Sequence, residues 1–310
     1  MRLEKSGILV IDKPPGMSSA QAVAEIKKVS GARKVGHAGT LDPLATGVLV
    51  CCLNSATRLS RFLLTGRKTY AATLFLGIAT DTQDRTGAVV ARADAGAVTR
   101  EAIRAVCDRF TGSLAQQPPV YSALKHEGTP LYRLARSGQP VQKPPRPVTI
   151  FSITLTGIDG PRVRFEVECS AGTYIRTLCA DRGAALGCGG HLADLRRLRS
   201  SGFTIDEAVS LKAFRALAAA GAAAGRITPM APALRGMPEH TVSATQVGKI
   251  RCGRPLGTGE LPPELASTDG HLKLLTPAGC LLAVVRWREP SRNWAYLCVM
   301  PAEACAAGVC

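Results

Sequence analysis

Residues 36–50, Gly-His-Ala-Gly-Thr-Leu-Asp-Pro-Leu-Ala-Thr-Gly-Val-Leu-Val, constrain this chain more than any other stretch. The three glycines Gly36, Gly39 and Gly47 mark a loop that needs unusual backbone angles or close backbone approach. Pro43 fixes its own φ and pushes Asp42 away from helical geometry. After Thr46-Gly47 the apolar run Val48–Leu53 predicts a buried strand. Asp42 is therefore held in a stiff, non-helical loop that feeds the core. A carboxylate so placed is either a turn-former that bonds its own backbone or a catalytic group, and the loop by itself leaves both open.

Charge narrows the partner. The 310 residues carry 39 Lys and Arg against 23 Asp and Glu, a formal net charge of +16. The surplus is uneven: residues 236–310 hold seven basic and six acidic residues, so the first 235 hold 32 against 17. A polyanion, most simply nucleic acid, is the expected partner, and it meets the N-terminal part. The eleven cysteines form no C-x-x-C pair, which speaks against a zinc ribbon. Their odd number, with no apolar leader at Met1–Lys5, leads to an expectation of reduced thiols in a cytoplasmic protein. No stretch has the length of an apolar membrane span.

Local patterns predict an α+β chain. Gly7–Ile11 reads as a short buried strand, broken at residues 12–16, and Ser18 or Ser19 caps a helix to about Val29. Lys68–Gly77 alternates, with Tyr70, Ala72, Leu74 and Leu76 on one face, as a half-buried strand does. Residues 81–87 form a polar loop. Thr99 caps a helix through Phe110. Residues 116–147 hold seven prolines, five basic residues and one acid, and read as a structureless, RNA-contacting surface insertion. Val148–Gly157 and Arg162–Cys169 follow as strands, then a helix from about Arg176 to Gly187, and Leu192–Leu198. Asp206–Leu217 is expected as a helix and the alanine- and glycine-rich 218–225 as a spacer. Beyond about Met237 come a short helix and three strands, a small β-rich unit.

Several chemistries are not supported by any motif. Gly66-Arg67-Lys68-Thr69 lacks the earlier glycine of a phosphate loop, since position 61 is Arg61. There is no dinucleotide fingerprint, zinc deaminase pair or serine nucleophile elbow, so no metal and no cofactor are expected. What is left is one constrained carboxylate, a basic surface, two tyrosines (Tyr70 and Tyr174) that could stack on a base or fill the core, and Arg176, which could pair with Asp42 and favour its charged form.

At these residues the chain resembles a known family. Residues 36–50 are similar to the catalytic loop of the TruB family of tRNA pseudouridine synthases. Gly7–Ser19, Arg67–Tyr70, Gln117–Lys125 with Leu131–Gly138, Cys169–Thr177 and Gly187–Arg197 resemble its other motifs in the same order. The resemblance implies Asp42 as catalytic aspartate, Arg176 as its partner, Tyr70 stacked on the target base and a candidate for proton transfer, and Tyr174 and Leu195 lining the uridine pocket. It also implies that His37 helps hold the base out of its stack and that Lys125, Arg133 and Arg136 grip RNA. The implied fold is a mixed or antiparallel sheet with flanking helices, a catalytic domain at 1–235 carrying a thumb at 118–147. A PUA-like β-barrel module is expected at 236–310. The implied activity is isomerisation of uridine to pseudouridine at position 55 in the T loop of tRNA by a monomer, without cofactor. A synthase for another RNA, or a weakly catalytic RNA-binding or tRNA-folding protein, is the alternative.

Overall fold

The computed structural model describes residues 3–257, 259–266, 270–289, 291 and 293–302. Apolar patterning dictates its layers. Strand β1 (Gly7–Lys13) and strand β3 (Thr46–Leu53) are buried on both faces and read as continuous apolar runs, whereas β2 (Val35–His37) is a short edge segment paired to β3. Strand β4 (Lys68–Leu76) buries only alternate residues, as expected of a strand with one covered face. Next come β5 (Gly112–Gln116), β6 (Arg146–Asp159), β7 (Arg162–Cys169) and β8 (Gly190–Ser200). The sheet order is β1-β3-β8-β4-β7-β6-β5, with Val209–Ser210 beyond β1. Strand β8 runs antiparallel to β4 along its length but joins β3 in parallel at only two pairs, Arg196 with Thr46 and Arg197 with Gly47. The loop carrying Asp42 opens onto that short junction.

Four helices cover one face. They are α1 (Ser19–Ser30), α2 (Arg100–Arg109), α3 (Ile175–Ala185) and α4 (Leu211–Ala219). Ile26, Ile103, Leu178 and Phe214 pack there with Leu9, Leu49, Leu74 and Phe165. Ser18 caps α1 through a reciprocal capping box with Gln21, and Thr99 and Ser210 cap α2 and α4. The opposite parity of β1 and β3 (Ile8, Val10, Val48, Val50) shares a second core with Leu234, Leu281, Val284 and Met300. A curled four-stranded sheet, Glu239–Thr241, Leu272–Leu275, Leu281–Arg288 and Asn293–Val299, thus docks on the back of the main sheet and has a core of its own around Ile250 and Leu256. It is a half-barrel of the PUA-like kind. No helix among the described residues is long and apolar enough to cross a membrane.

Three expectations fail. The insertion is not structureless: Lys125–His126 pairs with Thr129–Pro130 around Glu127 and Gly128, both at positive φ, and a helix, Leu131–Arg136, follows with Leu131 fully buried. Proline there starts elements instead of abolishing them, Pro130 preceding the first helical residue. The helix expected from Asp206 begins at Leu211, because Thr204 and Glu207 close a capping box on a single 3-10 turn and Ser210 caps the true start. The supposed spacer buries Ala223 and leads directly into Ile227–Thr228, which pairs with β1. Its Ala and Gly content carries no period from which that could be read.

Leu74 is fully buried at the centre of the helix-covered face. Leu74→Ala is expected to lower unfolding free energy by about 2–5 kcal/mol, measured by urea denaturation, while an exposed helix change such as Arg104→Ala shifts it by less than about 0.5 kcal/mol.

Candidate active site

The loop around Asp42 is tied down on every side. Leu41 is hydrogen-bonded both ways to the buried Ser19 hydroxyl, which accepts from its N–H at 2.8 Å and donates to its carbonyl at 3.1 Å. Pro43 O accepts from Gly16 N at 2.8 Å and from Lys13 Nζ at 3.4 Å, and Ala45 N closes a turn onto Asp42 O at 3.0 Å. Leu41, Leu44 and Ala45 are buried, so the loop is anchored by its apolar residues, while the Asp42 side chain keeps a third of its surface open. Gly47 has φ +99, and a Cβ there would lie 2.2 Å from the Arg197 carbonyl oxygen, so only glycine fits the junction with β8.

Arg176, in the first turn of α3, is 134 residues away in sequence and reaches this carboxylate. Its Nε lies 2.8 Å from Asp42 Oδ2 as a close ion contact, and Nη2 donates to Oδ1 at 3.4 Å. The guanidinium is almost fully buried and also donates to Thr82 O at 3.0 Å and Tyr121 O at 2.8 Å. A second carboxylate, Asp84, is 3.8 Å from Nε and more deeply buried than Asp42. Asp84 accepts from Thr82 Oγ1 (2.9 Å), Thr86 N (2.9 Å) and Thr86 Oγ1 (2.5 Å), which folds the 80–87 loop into a cradle for the arginine. Thr177 Oγ1 donates to Gln83 Oε1 at 2.8 Å and fastens that cradle to α3. Sequence reading passed over Asp84 as part of a polar loop. The available signal was a Thr-x-Asp-x-Thr run whose hydroxyls can all reach one carboxylate.

The other predicted residues fall in different places. Tyr70 is buried on β4, directly opposite Arg197 of β8. Burial pushes its phenol up, and the Arg197 guanidinium pulls against that shift. Tyr174 precedes α3, and the buried Gln116 side chain grips its backbone, accepting from Tyr174 N at 2.7 Å and donating to Tyr174 O at 3.0 Å. Leu195 lines a groove of about 370 Å³ with Leu44 and Thr46 from the Asp42 loop. A larger cavity of about 780 Å³ lies on the sheet face shared by Thr69, Glu166 and Glu168 and includes none of the predicted residues. The constrained pair lines neither; two residues of the Asp42 loop, Leu44 and Thr46, line the smaller groove, and geometry outweighs volume in locating the chemistry. Lys125, Arg133 and Arg136 lie exposed on the insertion. The root of that insertion nonetheless touches the site, through Tyr121 O on Arg176 and Gln116 on Tyr174.

Buried cations surround the loop. Lys13 donates to Pro14 O at 2.8 Å and Met17 O at 2.7 Å, and burial holds its ammonium down at about 8, opposed by Asp42. Arg197, nearly inaccessible, donates to Val48, Gly39 and Thr40 carbonyls; neither cation was singled out from sequence. Among the described residues no group of three or more His, Cys, Asp or Glu side chains is placed to hold a metal.

This mixed sheet has the fold of the pseudouridine synthases. The solved Cbf5-Nop10-Gar1 complex contains a chain that superposes with TM-score 0.72 at 27% identity, covering 95% of this chain and 83% of that one. Residues 27–175 match the model of the TruB family pseudouridylate synthase N-terminal domain, and 176–235 match that of the tRNA pseudouridylate synthase B C-terminal domain. The chain is 45% identical over 287 residues to tRNA pseudouridine synthase B of Syntrophotalea carbinolica, covering 93% of each protein. It is 50% identical over 217 residues to the Bordetella pertussis protein of the same name, 69% of this chain and 89% of that one. This chain belongs to the TruB family of pseudouridylate synthases.

His37 supplies a pH test. Burial, and then Arg197, push its imidazole below the ordinary value of 6.5. The unfolded chain then binds a proton near pH 6.5 that the folded chain accepts only in stronger acid, so stability falls as pH drops below about 6.5. Thermal midpoints measured from about pH 7 down to about pH 5 should fall more steeply for the wild-type chain than for His37→Gln; parallel slopes would show that His37 does not titrate this way.

Proposed function

We propose that this chain converts uridine to pseudouridine in tRNA, at position 55 of the T loop. The observation that carries this reading is the Asp42–Arg176 contact at 2.8 Å, with the arginine buried and the carboxylate partly open on a loop whose Leu44 and Thr46 line a groove, in a member of this family. The reaction is an isomerisation. The bond from uracil N1 to the ribose breaks, the uracil turns, and a bond from C5 to the ribose forms while C5 loses a proton and N1 gains one. Nothing is oxidised or reduced, so a positioned carboxylate suffices as the chemical tool.

Asp42 acts as the catalytic carboxylate. Whether it adds to the ribose, adds to C6 of the uracil or takes a sugar proton, it has to be held at fixed height, and Arg176 with the tied-down loop provides that. The uridine must leave its stack, which costs a few kcal/mol. Tyr70 supplies the floor for the flipped base, Tyr174 and Leu195 line its pocket, and His37 contacts the RNA at the pocket mouth. Lys125, Arg133 and Arg136 on the 118–147 thumb contact phosphates, and the module from 236 adds RNA surface to the catalytic unit of residues 1–235. The protein works as a monomer in the cytoplasm, where its tRNA substrate and its thiols Cys51, Cys52, Cys107, Cys169, Cys179 and Cys188 fit reducing conditions.

Asp42→Asn should bind tRNA within about threefold of wild type and form no pseudouridine, read by mapping position 55 after incubation with unmodified tRNA. Wild-type turnover by this variant would remove Asp42 from the chemistry; pseudouridine at another site would change the substrate assignment; no pseudouridine from the wild-type protein would favour the RNA-folding alternative. Arg133→Ala with Arg136→Ala should weaken tRNA binding and flatten the slope of log K against log salt by about 1 to 2. An unchanged slope would take both residues off the phosphate backbone.

A further inference from the structure

Arg197 is 1% exposed; its side chain donates to three backbone carbonyls and also hydrogen-bonds the Tyr70 phenol. Nε donates to Val48 O at 2.7 Å, Nη2 to Gly39 O at 2.9 Å and Nη1 to Thr40 O at 3.3 Å. Those carbonyls bracket Asp42 along the chain. The backbone of Arg197 pairs with Gly47 on one side and with Tyr70 on the other, at the two-pair junction between β3 and β8. One residue thus grips the loop before the aspartate, the strand after it, and the strand that carries the buried tyrosine.

A buried guanidinium with no carboxylate in contact is expensive to desolvate, and chains that need only packing use an apolar residue instead. Here the charge does something packing does not. The planar fork spans three carbonyls at once, which a lysine ammonium on a flexible stem does not reproduce. Lys13 shows the contrast, since it holds the loop's other flank at Pro43 O while its remaining bonds go to its own turn. The positive charge also faces the phenol of Tyr70 and the imidazole of His37, and it acts on both.

We infer that Arg197 is a positioning residue for the isomerisation: through the Gly39, Thr40 and Val48 carbonyls it fixes the Asp42 carboxylate relative to Tyr70. This rests on the synthase reading above. It acts through the loop and touches neither RNA nor base, so its loss should slow the chemical step and spare binding.

The test uses the full chain and unmodified tRNA, reading the dissociation constant and the single-turnover rate at saturating enzyme. Arg197→Met is expected to lose on the order of 100-fold in rate, as a misplaced catalytic group does, with affinity within about threefold of wild type. Arg197→Ala should recover about tenfold when guanidinium ion is added, and Arg197→Lys should lie between Met and wild type. A Met variant within about threefold of the wild-type rate overturns the inference while leaving the synthase reading intact. So does a parallel loss of rate and affinity that guanidinium does not restore, because it marks a role confined to folding. If the Met and Ala variants do not fold, Arg197→Lys decides alone: a slower rate at unchanged affinity supports the positioning role, and an unchanged rate removes it. Absence of pseudouridine with wild-type protein fails the synthase reading itself.

Discussion

The contact between Arg176 and Asp42 is what the rest of this molecule is arranged to hold. Burying a guanidinium is unfavourable unless its donors are met. Three hydrogen-bond acceptors meet them here, Asp42 and the carbonyls of Thr82 and Tyr121, and the buried carboxylate of Asp84 adds an ion contact at 3.8 Å. The helix bearing Arg176 packs on β8, and the loop bearing Asp42 leaves between β2 and β3. The ion pair therefore ties the helical layer to the centre of the sheet. Asp84 matters because it neutralises part of the arginine's charge without entering the groove, leaving Asp42 the reachable member of the set.

The same logic explains the lysine and arginine beneath the loop. Gly39 and Thr40 present carbonyls outside any strand, Pro43 and Val48 present theirs at the loop's far side, and carbonyls in a buried place need donors. Lys13 and Arg197 supply them. The result is a loop with few ways to move, in contrast to the insertion, whose tip is exposed and whose root alone is bonded to the site. Stiffness at the carboxylate suits a reaction in which the substrate, not the enzyme, has to change shape.

Much of this was legible in the residues. The glycines and Pro43 announced a constrained loop, and the alternation of Lys68–Gly77 and Arg162–Cys169 gave strands that the structure reproduces nearly to the residue. The residues offered Arg176 as a possible partner of Asp42 and the family resemblance put both in one pocket; spacing alone left Asp42 as a possible turn residue. Asp84 left a local mark, its flanking Thr82 and Thr86, whereas Arg197 was hidden for a physical reason: its partners are carbonyls about 150 residues earlier, and backbone acceptors leave no mark in a sequence. The misread stretches share another cause. In 116–147 prolines start elements as well as break them, in 206–217 two caps lie close together, and in 218–225 small residues give no period, although the sheet pairing that follows decides the path.

The central claim is that Arg176 serves the chemical step by holding Asp42, and a single-turnover measurement on Arg176→Lys with saturating enzyme tests it most directly. The lysine keeps the charge and loses the fork that reaches Asp42, Thr82 and Tyr121 together. The account predicts a rate of pseudouridine formation lower by about 100-fold or more, with tRNA affinity within about threefold of wild type. A wild-type rate from the folded variant would contradict it.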